Sequence, residues 1–152
     1  MIYVECPDKQ DSNLKSLFLA GSISGANDWQ KTVTEKLKDL DIVVYNPRRK
    51  NFDTDDPGMS KEQIAWEYEN LREADAISFW FAKETDAPIT LYELGAHSMT
   101  PKPIIVGIHP EYPRKIDVEI QTKLVRSDIP IVYSLDDLVD EIYKTMGQVQ
   151  LI

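Results

Sequence analysis

The stretch AISFWFAKETDAPITLYELGAHS, residues 76–98, decides the fold of this chain. Its first six residues form the kind of apolar run that fills a strand buried on both faces, as in a parallel sheet. Pro88 suits the first position of a helix, so the stretch predicts a strand at Ala76–Phe81 and a helix at Pro88–Ser98. In an open α/β sheet, the helix that follows a strand begins beside the ligand crevice, which places Glu93 at its mouth.

Glu93 has two interpretations at this position. The positive end of the helix dipole favours an ionised carboxylate, and an ionised, positioned glutamate can act as a nucleophile. Ordinary helix capping and dipole electrostatics also select glutamate near a helix start, with no catalytic role. The rest of the chain has to decide between them.

Short apolar runs alternate with segments of helical periodicity along the whole chain, which is the pattern of repeated βα units. Four more strands are predicted over residues 17–21, 42–45, 103–108 and 129–133, and four more helices over residues 29–40, 60–73, 117–125 and 134–146. The expected fold is therefore α/β, a doubly wound, flavodoxin- or Rossmann-like sheet of five parallel strands with flanking helices. Because no repeat or linker interrupts it, residues 1–152 are expected to form a single domain.

The composition of the chain argues against several classes of partner and ligand. The net charge of −9 opposes binding to a nucleic-acid polymer, which needs clustered lysine and arginine, although a small nucleoside remains compatible. Cys6 is the only cysteine, so a disulfide framework and a cysteine-based zinc cluster are excluded. His97 and His109 do not form a ligand set with carboxylates, and we expect neither a metal nor a cofactor.

No basic segment followed by a long apolar run opens the chain, and no stretch approaches the roughly 18 apolar residues that span a bilayer. The expected location is the cytoplasm, away from membranes.

Two loops after predicted strands carry candidate ligand contacts. At Gly21-Ser22, glycine allows the backbone to approach a ligand and helix amides can receive an anion, but a tight turn without a ligand is the alternative. The segment lacks the three-glycine fingerprint and the P-loop lysine, so NAD or ATP binding is not supported. Residues 45–52 are basic in an acidic chain, and form either a solvated loop or a wall that binds a heterocycle or a phosphate. The candidate contacts in this second loop are Asn46, Arg48, Asn51 and Phe52.

Glu67 precedes Asp75 by eight residues, an interval that returns a helical side chain to nearly the same face. Glu67 can therefore point along the helix toward the carboxyl edge of the sheet, or it can belong to a solvated acidic face. The adjacent Trp66 is, with Phe52, a candidate for stacking on a base.

These motifs together resemble the nucleoside 2-deoxyribosyltransferase family and its nucleotide-hydrolase relatives. The resemblance rests on a strand that runs into Ala20-Gly21-Ser22, on Glu67 eight residues before Asp75, and on Tyr92-Glu93-Leu94-Gly95. It implies that Glu93 is the nucleophile, and that Glu67 binds the sugar or transfers a proton to the base. The family commonly has aspartate at the position of Glu67.

Four further residues correspond to family positions. Asp86 stands next to Ala87, where members carry an aspartate or a phosphate-binding serine, and Phe18 stands where several members have a tyrosine. Asp117 falls where members present an asparagine from a neighbouring subunit, which implies a homo-oligomer whose site is completed by that neighbour.

The resemblance implies transfer of a 2-deoxyribosyl group between nucleobases, through a covalent deoxyribosyl-Glu93 intermediate and with net retention. The implied partners are a deoxynucleoside and a free nucleobase. The resemblance is compatible with nucleoside salvage, with removal of modified nucleotides and with a phage-related pathway. The first alternative is an N-glycosidase that uses water on a nucleoside or on a 5′-nucleotide held by Arg48 or Arg49. The second is a non-catalytic nucleoside-binding module.

Overall fold

The computed structural model describes residues 1–50, 52, 53 and 55–150, with side chains up to residue 147. Strands and helices alternate along these residues after an initial pair of strands. The strands are β1 (Ile2–Glu5), β2 (Ser16–Gly21), β3 (Val43–Asn46), β4 (Ala76–Phe81), β5 (Ile104–Ile108) and β6 (Ile131–Val132). The helices are α1 (Trp29–Lys36), α2 (Pro57–Glu73), α3 (Pro88–Ser98), α4 (Lys115–Val125) and α5 (Leu135–Gln150).

The strands form one sheet in the order β1-β3-β2-β4-β5-β6, and every neighbouring pair is parallel. The predicted α/β class and doubly wound architecture are confirmed, but the predicted count of five strands was wrong. The sixth strand is β1, which pairs with β3 from Ile2 opposite Val43 to Glu5 opposite Asn46. It is a four-residue edge strand with two exposed residues, too short to give a clear alternating pattern.

Helices cover both faces of the sheet. Helices α2, α3 and α4 bury Trp66, Leu71, Leu94 and Val118 against one face. Helices α1 and α5 bury their apolar residues against the other face. Every residue of β4 and β5 is buried, as the apolar runs of the sequence predicted for strands inside a three-layer fold.

The bounds of β4 and α3 agree with the prediction at both ends, whereas α2 begins earlier than predicted. The predicted start at Ser60, where Ser60 and Gln63 have the spacing of a capping box, was wrong: Asp56 is the N-cap and accepts hydrogen bonds from the amides of Gly58 and Met59. Pro57 occupies the first helical position, which explains the earlier start. Helix α1 ends at Lys36, four residues before its predicted end.

The crevice follows from the strand order. From β2 the chain moves outward to β3, and it then returns to the other side of β2 to form β4. The loops after β2 and β4 therefore leave neighbouring strands in opposite directions, and the gap between them is where open α/β sheets bind ligands. Within the described part of the chain, no helix is long and apolar enough to cross a bilayer.

Candidate active site

A cavity of about 360 Å³ opens at this switch point. Its walls come from the loop after β2, the loop after β3, helix α2 and the start of α3. The lining residues with polar side chains include Ser22, Arg49, Gln63, Glu67, Thr90 and Glu93. The volume lies within the range of small-molecule sites.

Glu67 and Glu93 reach this cavity from two different helices. Glu93 lies in the second turn of α3, and Glu67 lies in the second half of α2. The Glu67 carboxylate accepts a hydrogen bond from Gln63 Nε2 at 3.3 Å. No described group donates a hydrogen bond to the Glu93 carboxyl, so the two acids have unequal surroundings.

Burial and mutual repulsion keep a proton on this pair. Burial, and after it the negative charge of Glu67, raise the pKa of Glu93 to about 8. Burial also raises the pKa of Glu67, although the hydrogen bond from Gln63 opposes that rise. Glu93 therefore favours its protonated form at neutral pH, as a carboxyl group of a catalytic acid–base pair often does.

Gly21 is required by packing. A Cβ atom at this position would lie 2.5 Å from both a ring carbon of Trp29 and the carbonyl oxygen of Trp80. Its neighbour Ser22 is buried, and its Oγ has no hydrogen-bond partner among the described residues. Both residues line the cavity, as predicted, but close packing accounts for the glycine without a ligand.

The basic loop divides into a structural part and a cavity part. Arg48 turns away from the cavity, where its guanidinium donates to Gln30 Oε1 at 2.9 Å and to the Asn27 carbonyl at 3.1 Å. Arg49 and Phe52 line the cavity, and Arg49 is paired with Glu62 at 2.8 Å. The arginine at the predicted wall is thus Arg49.

Asn46 also belongs to the structural part of this loop. It donates to the Tyr3 hydroxyl at 3.0 Å and accepts from the Arg48 amide at 2.9 Å. It lines a separate groove between α1 and β1, on the other side of the loop. Asn51 lies outside the described residues.

Phe18 and Trp66, both predicted to contact substrate, lie in the core. Their exposed fractions are 1% and 5%, and their ring centroids are 5.8 Å apart. The Trp66 indole nitrogen donates to the Asp8 carbonyl at 2.8 Å. Neither lines the cavity: Phe18 lies inside the buried strand β2, and the α2 face that carries Trp66 packs on the sheet. Phe52 is the aromatic side chain on the cavity wall.

Asp86 and Asp117 do not line this cavity either. The side chain of Asp86 is exposed, and its carbonyl accepts a hydrogen bond from the Tyr112 hydroxyl at 2.6 Å. The next residue, Ala87, does line the cavity and has a left-handed φ of 51°. Asp117 lies on α4, 3.5 Å from Arg114.

A second opening reaches the same two acids. A groove of about 950 Å³ runs between α2 and α3, and both Glu67 and Glu93 line it as well as the cavity. Its exposed apolar residues are Ile64, Tyr68, Ile89 and Tyr92. The acid pair therefore lies between the cavity and the apolar groove.

Sequence reasoning missed Gln63, Thr85 and Thr90, which line the cavity. A signal for Gln63 exists in hindsight, since it precedes Glu67 by one helical turn and shares its face. Among the described residues, no group of three or more histidine, cysteine, aspartate or glutamate side chains is placed to hold a metal ion.

The family whose model matches this chain supports a glycosyl-transfer-related enzyme at the level of the family. Residues 14–112 match the nucleoside 2-deoxyribosyltransferase-like family, and the chain belongs to that family.

One solved structure shows the same fold. It is the crystal structure of a conserved protein from Enterococcus faecalis V583, with a TM-score of 0.65 and 18% sequence identity. The match covers 87% of this chain and 99% of that one. No curated protein matches the chain.

Proposed function

We propose that this protein transfers a 2-deoxyribosyl group between nucleobases by double displacement at Glu93. The observation that carries the proposal is the pair of half-buried acids, Glu67 and Glu93, which line one cavity at the switch point of the sheet. Family membership supports the reaction class. Cleavage of a glycosidic bond to nitrogen needs a nucleophile at C1′ and a proton for the departing base, and the pair supplies both.

In the first displacement, a Glu93 oxygen bonds to C1′ as the bond from C1′ to the base nitrogen breaks. The bonding electrons leave with the base, and the single proton of the pair passes through Glu67 to that base. The products are a deoxyribosyl ester of Glu93 and a neutral free base. Charge and protons balance without an external acid.

In the second displacement, an acceptor base attacks C1′ from the side that the first base left. Its N–H proton returns to the acid pair, and Glu93 is released. Two inversions at C1′ give net retention.

The second candidate is an N-glycosidase acting on a 5′-nucleotide, with water as the acceptor. The observation in its favour is Arg49, which lines the cavity together with the unpartnered hydroxyl of Ser22. Arg49 already binds Glu62, and that ion pair would have to loosen for a phosphate. We therefore rank this candidate second.

We also propose that the working form is a homo-oligomer in which a second copy covers the apolar groove. Helix α4 carries an exposed apolar stripe, Ile116, Ile120 and Leu124, at the four-residue spacing of helices that dock into grooves. If α4 of one copy lies in the groove of the other, Asp117 approaches the acid pair of its neighbour.

The proposed setting is nucleoside salvage in the cytoplasm. The reaction class supports this setting. The single cysteine, Cys6, supports it too, because it is buried and free, as is usual for proteins of reducing compartments.

The test is chromatography of deoxynucleoside donors mixed with a different free base. Wild-type protein should form the new deoxynucleoside, and Glu93→Gln should abolish it. Glu69→Gln, which removes an exposed glutamate of α2, is the matched control and should retain full activity. Glu93-dependent release of base without exchange would favour the glycosidase. A requirement for a 5′-phosphate on the substrate would indicate that Arg49 binds that phosphate.

A further inference from the structure

Gln63 donates the one hydrogen bond that the side chains of the acid pair accept from the described residues. It precedes Glu67 by one turn of α2, and its Nε2 donates to the Pro47 carbonyl at 2.7 Å and to Glu67 Oε1 at 3.3 Å. Both partners are acceptors, so the amide can present only its NH₂ group to them. The orientation of the Gln63 side chain is thereby fixed.

This contact makes the two acids unequal. Glu67 accepts one hydrogen bond, while Glu93 accepts none from the described residues. A hydrogen bond donated to a carboxylate favours its ionised form. Of the two sites, Glu67 is therefore the better place for the negative charge and Glu93 the better place for the proton.

The charged groups around the pair do not reverse this order. Arg49 binds Glu62, Arg72 donates to the Tyr68 hydroxyl, and Lys102 donates to the carbonyls of Leu71 and Arg72. Among the described residues, neither Glu67 nor Glu93 forms an ion pair. Titratable and charged groups surround the pair on several elements. They are Cys6 after β1, Arg49 after β3, Tyr68 and Arg72 on α2, Asp75 after α2, Tyr92 and His97 on α3, and Lys102 before β5.

We propose that Gln63 is a positioning residue that holds Glu67 as the charged member of the pair, so that the proton rests on Glu93 until a nucleoside binds. This role rests on the proposed function. It defines where the proton lies before the reaction begins: Glu93 is held as a neutral acid, and the charged Glu67 can accept its proton. The carboxylate of Glu93 is then formed as its proton moves through Glu67 to the departing base.

A simpler structural role has to be separated from this one. The bond to the Pro47 carbonyl also ties α2 to the loop that carries Arg49 and Phe52. Loss of that tie would lower activity at every pH, whereas loss of the bond to Glu67 would change how the pair titrates.

The first measurement is NMR titration of carboxyl carbons in ¹³C-labelled glutamate, for wild type and Gln63→Met. Methionine keeps the length and most of the volume of glutamine but has no N–H donor. In the wild type, Glu67 should titrate at a lower pH than Glu93. In Gln63→Met, the pKa of Glu67 should rise by about one unit or more, which corresponds to the lost hydrogen bond.

The matched control is Lys61→Met, an exposed substitution on the same helix that should leave both titrations unchanged. An unchanged Glu67 titration in Gln63→Met, or a wild-type Glu93 that ionises before Glu67, would overturn the proposal. The second outcome can be read from the wild type alone, even if the variant does not fold.

The second measurement is kcat/KM for base exchange as a function of pH. Its acid limb should move upward in Gln63→Met by the same amount as the pKa of Glu67, and a uniform loss across pH would assign Gln63 a structural role only. If the NMR order holds but no form of the protein exchanges bases, the proposed function fails and the assignment of the resting proton stands.

Discussion

A carboxylic acid that is buried beside another one destabilises the folded chain, and Glu93 is in that position. Its surroundings favour the neutral acid, so at higher pH the folded state must either hold an unfavourable charge or take up a proton. Active sites commonly keep such groups at a cost in stability.

Glu93→Gln should therefore stabilise the protein at neutral pH. The pKa of Glu93 is about 8 in the folded chain, against an ordinary value of 4.5, so between these values the folded state binds more protons than the unfolded one. The unfolding free energy thus falls as pH rises through this window, and the glutamine variant avoids that fall. Thermal unfolding should show a gain on the order of 1–3 kcal/mol at pH 8 that disappears below about pH 4.5. A variant less stable than wild type at pH 8 would contradict this account.

The exchange reaction should decline in alkaline solution. Above pH 8 the pair loses its proton, and a departing base then lacks an acid. Plots of kcat/KM should bend downward near pH 8. Glu67→Gln should lower the rate by about 10²-fold or more and should also lower the pKa of Glu93, because a negative charge is removed. An alkaline limb unaffected by this substitution would place the acid elsewhere.

For single residues, the sequence indicated which acids could serve a site better than it indicated which candidate side chains are exposed to the cavity. Glu67 and Glu93 do line one cavity, although their catalytic roles stay predictions. Trp66 was misjudged because the sequence does not show which face of α2 packs on the sheet. Phe18 was misjudged because it lies inside β2, where the strand is covered by the core. Arg48 and Arg49 are adjacent and identical, and only the folded loop shows which one reaches the cavity.

Elements were predictable where the pattern was long and strongly apolar. Strand β4 and helix α3 have an unbroken apolar run and a proline at the first helical position, and both were predicted at both ends. Strand β1 has four residues at an edge, where one-sided burial leaves little signal. The start of α2 was misplaced because two local signals competed, a capping box at Ser60 and an Asp-Pro pair at Asp56.

Replacement of Asp56 tests which signal begins α2. Asp56→Ala should lower the unfolding free energy by about 1 kcal/mol, because the amides of Gly58 and Met59 lose their acceptor. Chemical denaturation with Ser60→Ala as the control should show a change of less than about 0.5 kcal/mol for the control. Equal losses for the two variants would restore Ser60 as a cap.

On the scale of the whole molecule, the acidic chain leaves apolar surface on neighbouring helices. Tyr92 is 78% exposed and Leu124 is 81% exposed, on α3 and α4. Where such residues lie together, as Ile64, Tyr68, Ile89 and Tyr92 do along the groove between α2 and α3, they mark an interaction site. The sequence predicted the parallel sheet and its crevice. It did not predict the apolar surface, because the sequence pattern of a helix does not distinguish an apolar residue that faces the core from one that faces a second copy.

Tyr92→Asp should prevent assembly, since it adds a negative charge to the groove beside Glu93 and Glu67. Sedimentation analysis should show an oligomer for wild type and a monomer for the variant, with unchanged circular dichroism. Lys83→Asp adds negative charge outside the groove and serves as the control. An oligomer that survives Tyr92→Asp would place the interface on another surface.

The acid pair lies between two openings, the cavity and the groove between α2 and α3. If the groove is closed only by another copy, the fate of the glycosyl ester depends on how concentrated the protein is. Dilution below the dissociation constant would admit bulk water to C1′ and turn a base exchanger into a hydrolase, with no change in the chain itself. Assays at nanomolar protein would then measure hydrolysis, and assays at micromolar protein would measure base exchange.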